Sequence, residues 1–430
     1  MGLPRSRVAE RTGTGVGAFA LVLVGFFRGA ATENVTLELL IVTVRVVFLE
    51  AISAVLVFIV FLLATGVLLT AEIWRSRDRR AFLPAGPPIE AIVPVYRDHE
   101  VMDRSVESLV ESEYEDLRVT IVAEPSDDRT LRAARRLADV HERVAVLENG
   151  FPGSKAGAIN YAVARSDADY FAVFDADEWV APEFVPKAMG ELVTGSDVFQ
   201  GRRVPRPTGP IESLAYCERV IFHASYKLVE LTGFANCRSS STAFTRDAFR
   251  RVGGYDDVLT EDLAFAHACY RNDLTVTQAR QWTNTMEAPH TLSDLWGQRK
   301  RWRMGQIEVL HRTLREALEG RVDRRGLVSI GRMLSSLLGS LAALMIAGKV
   351  LLLLLLGVES AFVLPIAFLL VTVGAVAARD ARDGRIEGLH WSATLAFATY
   401  PAFGILTLKA FLEYAFSWEG EWYRVTKTGT

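Results

Sequence analysis

Residues 51–70 read AISAVLVFIVFLLATGVLLT and carry no charge. Twenty apolar residues in one helix span about 30 Å, the thickness of a bilayer's hydrocarbon core. A soluble helix of that length would need a core around its whole circumference. The chain is therefore expected to fold at a membrane. Residues 16–27 are also apolar and end at Arg28, and residues 37–49 are mostly apolar, interrupted by Glu38, Thr43 and Arg45. We read two N-terminal spans, roughly 15–32 and 40–70, the second long enough to tilt. A cleaved signal peptide is the alternative for the first, but no small-residue cleavage site precedes the next apolar run. Toward the other end, residues 334–356, 361–377 and 391–415 are three further apolar stretches. The last contains Pro401 and is also readable as interfacial or re-entrant.

Basic residues give an orientation. Arg5, Arg7 and Arg11 precede the first span, Arg75, Arg77, Arg79 and Arg80 follow the second, and the loop 29–36 has none. Positive charge is retained on the cytoplasmic side, which places everything after Arg80 in the cytoplasm. Arg379, Arg382 and Arg385 read as another cytoplasmic loop. Counting spans then leaves the tail outside, whereas Arg424 and Lys427 favour the inside. The sequence leaves this open.

The formal net charge of −3 gives no support to nucleic-acid binding. Cys217, Cys237 and Cys269 are scattered without CxxC spacing, which excludes a disulfide framework or a zinc site. Seven of the 48 basic residues are lysine, so Lys155 and Lys300 stand out.

Between about 88 and 320 the texture changes. Strand-like runs (Ile89–Val95, 119–123, 144–147, 169–174) alternate with helical spacing (104–113, 131–140, Lys155–Arg165). Such alternation predicts a parallel sheet with helices on both faces. Ligands bind such sheets beyond the carboxyl ends of the strands.

The chemistry-bearing residues gather at those ends. Val173-Phe174-Asp175-Ala176-Asp177 finishes the fourth strand on two carboxylates, hard oxygens suited to a divalent cation, although a polar turn would read the same. Pro94 and Tyr96 end the first strand, offering a ring beside a flat base. Glu124, with Ser126, Asp127 and Asp128, ends the second, suited to a uracil edge or ribose hydroxyls. Gly150-Phe151-Pro152-Gly153-Ser154-Lys155 is a glycine-rich loop opening a helix, where backbone amides and an ammonium favour phosphate. It is not a Walker A loop. Thr260-Glu261-Asp262 starts another helix and is equally readable as a cap, with Thr260 capping and the acids favoured by the dipole. Gln298-Arg299-Lys300-Arg301-Trp302 combines phosphate pairing with a ring for sugar stacking, or is a juxtamembrane basic patch.

This ordered set, bracketed by apolar helices, resembles a family 2 glycosyltransferase, in particular the cellulose synthase and hyaluronan synthase group. The motifs cover roughly residues 88–310. The resemblance implies an α/β GT-A-type domain, Rossmann-like with a mostly parallel sheet, at 81–325. It would lie in the cytoplasm between membrane regions at 1–80 and 326–415, with a tail at 416–430. It implies inverting transfer from a nucleotide-sugar donor, a UDP-sugar by family habit, to a glycan or lipid acceptor at the plasma membrane. Asp175 and Asp177 would hold Mn2+ or Mg2+, with Asp177 nearer the metal. Lys155 would contact the nucleotide, and Pro94, Tyr96, Glu124 and Glu261 would line the substrates. Asp262 would be the general base, and Gln298, Arg299, Arg301 and Trp302 would close over diphosphate and acceptor.

Two departures stand out. Ala123-Glu124 occupies the place of the family's paired aspartates, so base preference is less defined. The small loop facing the acceptor reads Asn236-Cys237-Arg238-Ser239-Ser240-Ser241, and its arginine points to an acceptor unlike plain glucan. The competing readings are a single-sugar transferase acting on a lipid, a non-catalytic membrane protein with a degenerate nucleotide domain, and a transporter. The intact motifs weigh against the second. The scarcity of charge in the apolar ends (Arg45, Glu50, Lys349, Lys409, Glu413) weighs against the third.

Overall fold

A computed structural model describes residues 39–417 and Lys427. The expected span at 15–32 lies outside these residues. The expected span at 40–70 is one helix, Leu39–Trp74, whose stretch Leu49–Trp74 is long and apolar enough to cross a membrane.

Eight strands make one sheet: β1 (Ile89–Val95), β2 (Leu117–Ala123), β3 (Val144–Glu148), β4 (Tyr170–Val173), β5 (Glu178–Trp179), β6 (Val198–Pro205), β7 (Thr242–Thr245) and β8 (Val276–Met286). Their spatial order is β3-β2-β1-β4-β7-β6-β8-β5. The run from β3 to β4 is parallel, and so is the β6–β8 pair. β7 runs antiparallel to both its neighbours, and β5 antiparallel to β8. The sheet is thus mixed and mostly parallel.

The inner strands read as continuous apolar runs because both faces are covered. Residues two apart share a face. Ile89, Ala91, Val93 and Val95 pack with Val106 and Leu109 of the helix Met102–Val110. Ile92, Val122 and Val173 pack on the other face with Ile159 and Ala162 of the helix Lys155–Arg165. The loops leading out of the strands are pinned by caps. Asp127 accepts from Thr130 N and starts Asp128–Val140. Ser154 accepts from Gly157 N (3.1 Å) and starts Lys155–Arg165.

The apolar helices attach to this domain through ion pairs. Glu72, near the end of the first helix, accepts from Lys227 (2.8 Å) and Arg280 (3.1 Å), and both also hold Glu230. Asp380 pairs with Arg202. Arg77 (2.5 Å) and Arg385 (3.0 Å) share Glu183. Two basic clusters expected on one side of the membrane therefore meet on the same domain. Within the apolar layer, Lys349 pairs with Glu50.

Three C-terminal segments are long and apolar enough to cross: Arg324–Leu355, Ser360–Arg382 and Trp391–Phe416. The third is held by the protein at both ends. At its start Ser392 Oγ donates to Pro210 O (2.7 Å). At its end Glu413 pairs with Lys300 (3.0 Å), and Tyr414 OH lies 2.9 Å from His311 Nδ1. Both ends therefore lie against the α/β domain. The middle goes deeper: the Phe397 ring meets Phe362 at 6.2 Å and the Tyr400 ring meets Phe58 at 5.1 Å. The fold is made by a tight helix over Trp391–Ala398 that turns at Thr399-Tyr400-Pro401 into Thr399–Ser417. Both the interfacial and the re-entrant readings open in the sequence accommodate this turn.

Candidate active site

The site forms where β1, β2 and β4 end. Val95 lies beside Ala123, and Ile92 beside Val173. Phe174 N still donates to Ile92 O (3.1 Å) before the chain leaves the sheet at Asp175.

The two aspartates have different surroundings. Asp175 Oδ1 accepts from Lys155 Nζ (2.5 Å), and its Oδ2 accepts from Arg203. Burial opposes its charge, but Lys155 and Arg203 outweigh burial and hold the carboxyl well below the usual range. Asp177 is only 5% exposed. Burial pushes its carboxyl up, with Lys427 opposing and Asp175 adding. The Lys427 ammonium stands 3.7 Å from Asp177 Oδ1 and 3.1 Å from Asp98 Oδ1. Beneath them Glu178 accepts from Arg203 (3.0 Å) and Ser241 Oγ (3.0 Å). Burial pushes Glu178 up to about 7, against Arg203 and with both aspartates.

Lys155 joins this cluster to the second acidic motif. Its Nζ also donates to Ser239 Oγ (2.9 Å) and lies 3.8 Å from Glu261 Oε1, which accepts from Ser239 (2.7 Å). Burial raises the Glu261 pKa and Lys155 opposes the rise. Asp262 is half-buried, and its Oδ1 accepts from Leu263 N (2.8 Å). The capping reading fails for Thr260. Its hydroxyl makes no cap bond, and the buried Oγ1 has no hydrogen-bond partner among the described residues. The helix Leu292–Leu318 instead crowds against it at Gly305, where a Cβ would come within 2.5 Å of Thr260 Cγ2. Only glycine permits that approach, and it sets the second acidic motif against the third motif's helix.

That helix divides its motif. Arg301 Nη1 turns toward the acidic turn and donates to Leu259 O (2.9 Å). Arg299 is 2% exposed, and its Nε donates to both Glu218 oxygens (2.7 and 2.8 Å). Its Nη1 donates to Gln298. Trp302 lies between the guanidinium groups of Arg299 (4.2 Å) and Arg219 (5.1 Å). The structure thus brings Lys155, Asp175, Asp177, Glu261 and Asp262 together with Arg301. Arg299 and Trp302 face the helix Pro210–Glu230 instead, and Gln298 pairs with Arg299.

At the other strand ends, Tyr96 is exposed and Pro94 half-buried within β1. Glu124 is turned inward: Gly153 N (2.9 Å) and Asn149 Nδ2 (3.2 Å) donate to its two oxygens. It shapes the glycine-rich loop, a role its position in sequence does not announce. Sequence reasoning placed Ser239 in the loop facing the acceptor but missed Arg203, Glu178, Asp98 and Lys427 as site residues. Of these four, Lys427 carried a signal, as one of the rare lysines.

Among the described residues no group of three or more His, Cys, Asp or Glu side chains is placed to hold a metal. A cation held by one or two carboxylates plus substrate phosphates needs no such cage. Asp177 and Asp98 already draw a cation, the Lys427 ammonium. Their oxygens fit a divalent ion of that kind.

Residues 90–253 match the family model described as glycosyl transferase family 2. The poly-beta-1,6-N-acetyl-D-glucosamine synthase of Staphylococcus epidermidis is 24% identical over 234 residues, 52% of this chain and 56% of the relative. The synthase of the same name from Staphylococcus aureus strain COL is 26% identical over 236 residues, with the same coverage. The chain thus spans about half the length of the curated relatives it matches. A mannosyltransferase from Pyrobaculum calidifontis, solved in complex with GDP-Man and Mn2+, superposes with a TM-score of 0.52 at 17% identity. That alignment covers 87% of this chain and 100% of the other, and it speaks for the fold.

Proposed function

Starting from a chain whose residues 90–253 belong to glycosyl transferase family 2, we propose a membrane enzyme that transfers a sugar, with inversion, from a nucleoside diphosphate donor to a growing glycan. The observation that carries this reading is Lys155, whose single ammonium touches Asp175 and Ser239 and approaches Glu261. It joins the donor-side and acceptor-side motifs into one site.

In this reading Asp175 and Asp177 would hold a divalent cation, Asp175 by exchanging the Lys155 or the Arg203 contact, each of which takes one of its oxygens. That cation, when bound, neutralises charge developing on the diphosphate leaving group. Asp175 is kept ionised by Lys155 and Arg203. Arg301, beside Glu261 and Asp262, adds fixed positive charge near the same group. Asp262 accepts the proton of the attacking acceptor hydroxyl. With one base and no protein nucleophile, the sugar carbon inverts. The domain at 81–325 lies in the cytoplasm, and the relatives' polymer synthesis supports a glycan acceptor. Transfer of a single sugar to a lipid is the second reading, favoured by Arg238, whose charge bears on Asp262.

Incubating the purified chain with Mn2+ and a panel of UDP- and GDP-sugars tests the proposal. Nucleotide release and a lengthening glycan are expected, and no release with any donor removes the enzyme. Lys427, against Asp98 and Asp177, supports a tail on the catalytic side. A cysteine placed at position 427 should therefore be labelled from the same side as one at position 150. Labelling from opposite sides would restore a full third span.

A further inference from the structure

The helix Glu261–Arg271 carries Glu261 and Asp262 in its first turn, yet its start is not fixed by a cap, because the Thr260 side chain makes no cap bond. Another contact has to hold the turn that aims Asp262, since a misplacement of about 1 Å at a reacting group can cost ~100-fold in rate. That hold comes from the residue before the motif. Leu259 N donates to Glu308 Oε2 (3.1 Å), and Leu259 O accepts from Arg301 Nη1 (2.9 Å). Both backbone polar groups of one residue are therefore taken by side chains of one helix, Leu292–Leu318. Arg301 and Glu308 stand about two helical turns apart and so share a face. Gly305, between them, is where that helix closes on Thr260. Val258 and Leu259 pack with Met304, Ile307 and Leu310 in one apolar cluster.

The helix itself is clamped from the other side. Arg299, two residues before Arg301, points nearly opposite to it at 3.6 residues per turn. Its Nε donates to Glu218, and the Trp302 ring lies between the guanidinium groups of Arg299 and Arg219. These contacts on the helix Pro210–Glu230 resist rotation of Leu292–Leu318, so Glu308 and Arg301 meet Leu259 in a fixed register. The second oxygen of Glu308 accepts from Arg312 Nη2 (2.9 Å), whose side chain is exposed. An ion pair on the surface contributes little, so the oxygen on Leu259 N is the one with a structural consequence.

We propose that Glu308 is a positioning residue for the general base. Through Leu259 N it sets the turn that presents Asp262 to the acceptor hydroxyl. This deepens the transferase reading and rests on it.

The test uses the full chain in detergent. Glu308→Met keeps length and helix preference but removes the oxygen that Leu259 N needs. Glu308→Gln keeps an accepting oxygen, and Arg312→Gln removes only the exposed ion pair. Glu308→Met should lower kcat by at least ~10-fold with the donor KM within about two-fold of the parent, because the donor cluster around Asp175 is untouched. Glu308→Gln should return kcat to within about three-fold of the parent, and Arg312→Gln should leave it unchanged. Hydrogen exchange reads the turn without activity: the Leu259 amide should exchange at least ~10-fold faster in Glu308→Met and near the parental rate in Glu308→Gln. Glu308→Ala carries the same comparisons if Glu308→Met misfolds. Unchanged exchange, or faster exchange with kcat intact, would overturn the inference. So would equal losses in Glu308→Met and Glu308→Gln, or a rise in donor KM as large as the fall in kcat. No transfer by the parent with any nucleotide sugar sinks the transferase reading instead, and the Leu259 exchange rates then decide whether Glu308 holds the turn.

Discussion

Around Asp175, cations and carboxylates alternate: Lys155, Asp175, Arg203 and Glu178 each touch an opposite charge. Around Arg219 they do not. Glu218 is taken by Arg299, and the remaining neighbours are arginines and the Trp302 ring. Both regions are buried, and Arg203 belongs to both, yet one is electrostatically complete and the other is not. The difference teaches that burial of charge has two meanings. A compensated cluster is a pre-organised framework that holds its geometry without ligand. An uncompensated one, here stacked on Trp302, is held in place by the packing around it at an electrostatic cost.

The comparison can be broken most severely at the base. Asp262→Asn keeps size but cannot take a proton, so transfer should fall by ~10²–10⁴-fold with donor affinity within a few-fold. A collapse of donor affinity instead would make Asp262 part of the compensated framework. Next is Asp177→Asn, expected to lower transfer by ~10²–10³-fold and to remove the Mn2+ dependence of nucleotide binding. Full activity of the parent enzyme in excess EDTA would contradict that role.

Stability sharpens the contrast within one helix. Glu218→Gln should destabilise by about 3 kcal/mol, because it leaves Arg299 buried and unpaired. Its neighbour Arg219 should tolerate glutamine without loss. Denaturant melts of the two variants read the difference directly, and equal losses would mean that Arg219 has a partner after all. The smallest effect is expected at Thr260. A working helix cap is worth about 1 kcal/mol, but this hydroxyl makes no cap bond, so Thr260→Ala should change stability by less than ~0.5 kcal/mol.

Much of the framework was legible in sequence. β1, β2 and β4 are apolar runs because both their faces are covered, and such runs end where the site begins. The two aspartates announced themselves by standing at one of those ends. The later strands did not. β8 reads VTQARQWTNTM, polar enough to pass for a loop, and becomes a strand only by pairing with β6 and β5. Local pattern cannot report a partner distant in the chain.

By itself, then, the sequence determined the apolar spans, the alternation that builds the sheet and the order of the acidic and basic motifs. Each of these follows from local composition and period. Tertiary structure alone decided which groups those motifs meet. It turned Glu124 inward onto the glycine-rich loop, where Gly153 N and Asn149 were waiting for an acceptor. It turned Trp391–Phe416 so that both ends meet the α/β domain, because hydropathy measures length and polarity but not where two ends find partners. It left Arg219 without a counter-charge, because pairing depends on positions brought together from β6, two helices and the acceptor loop.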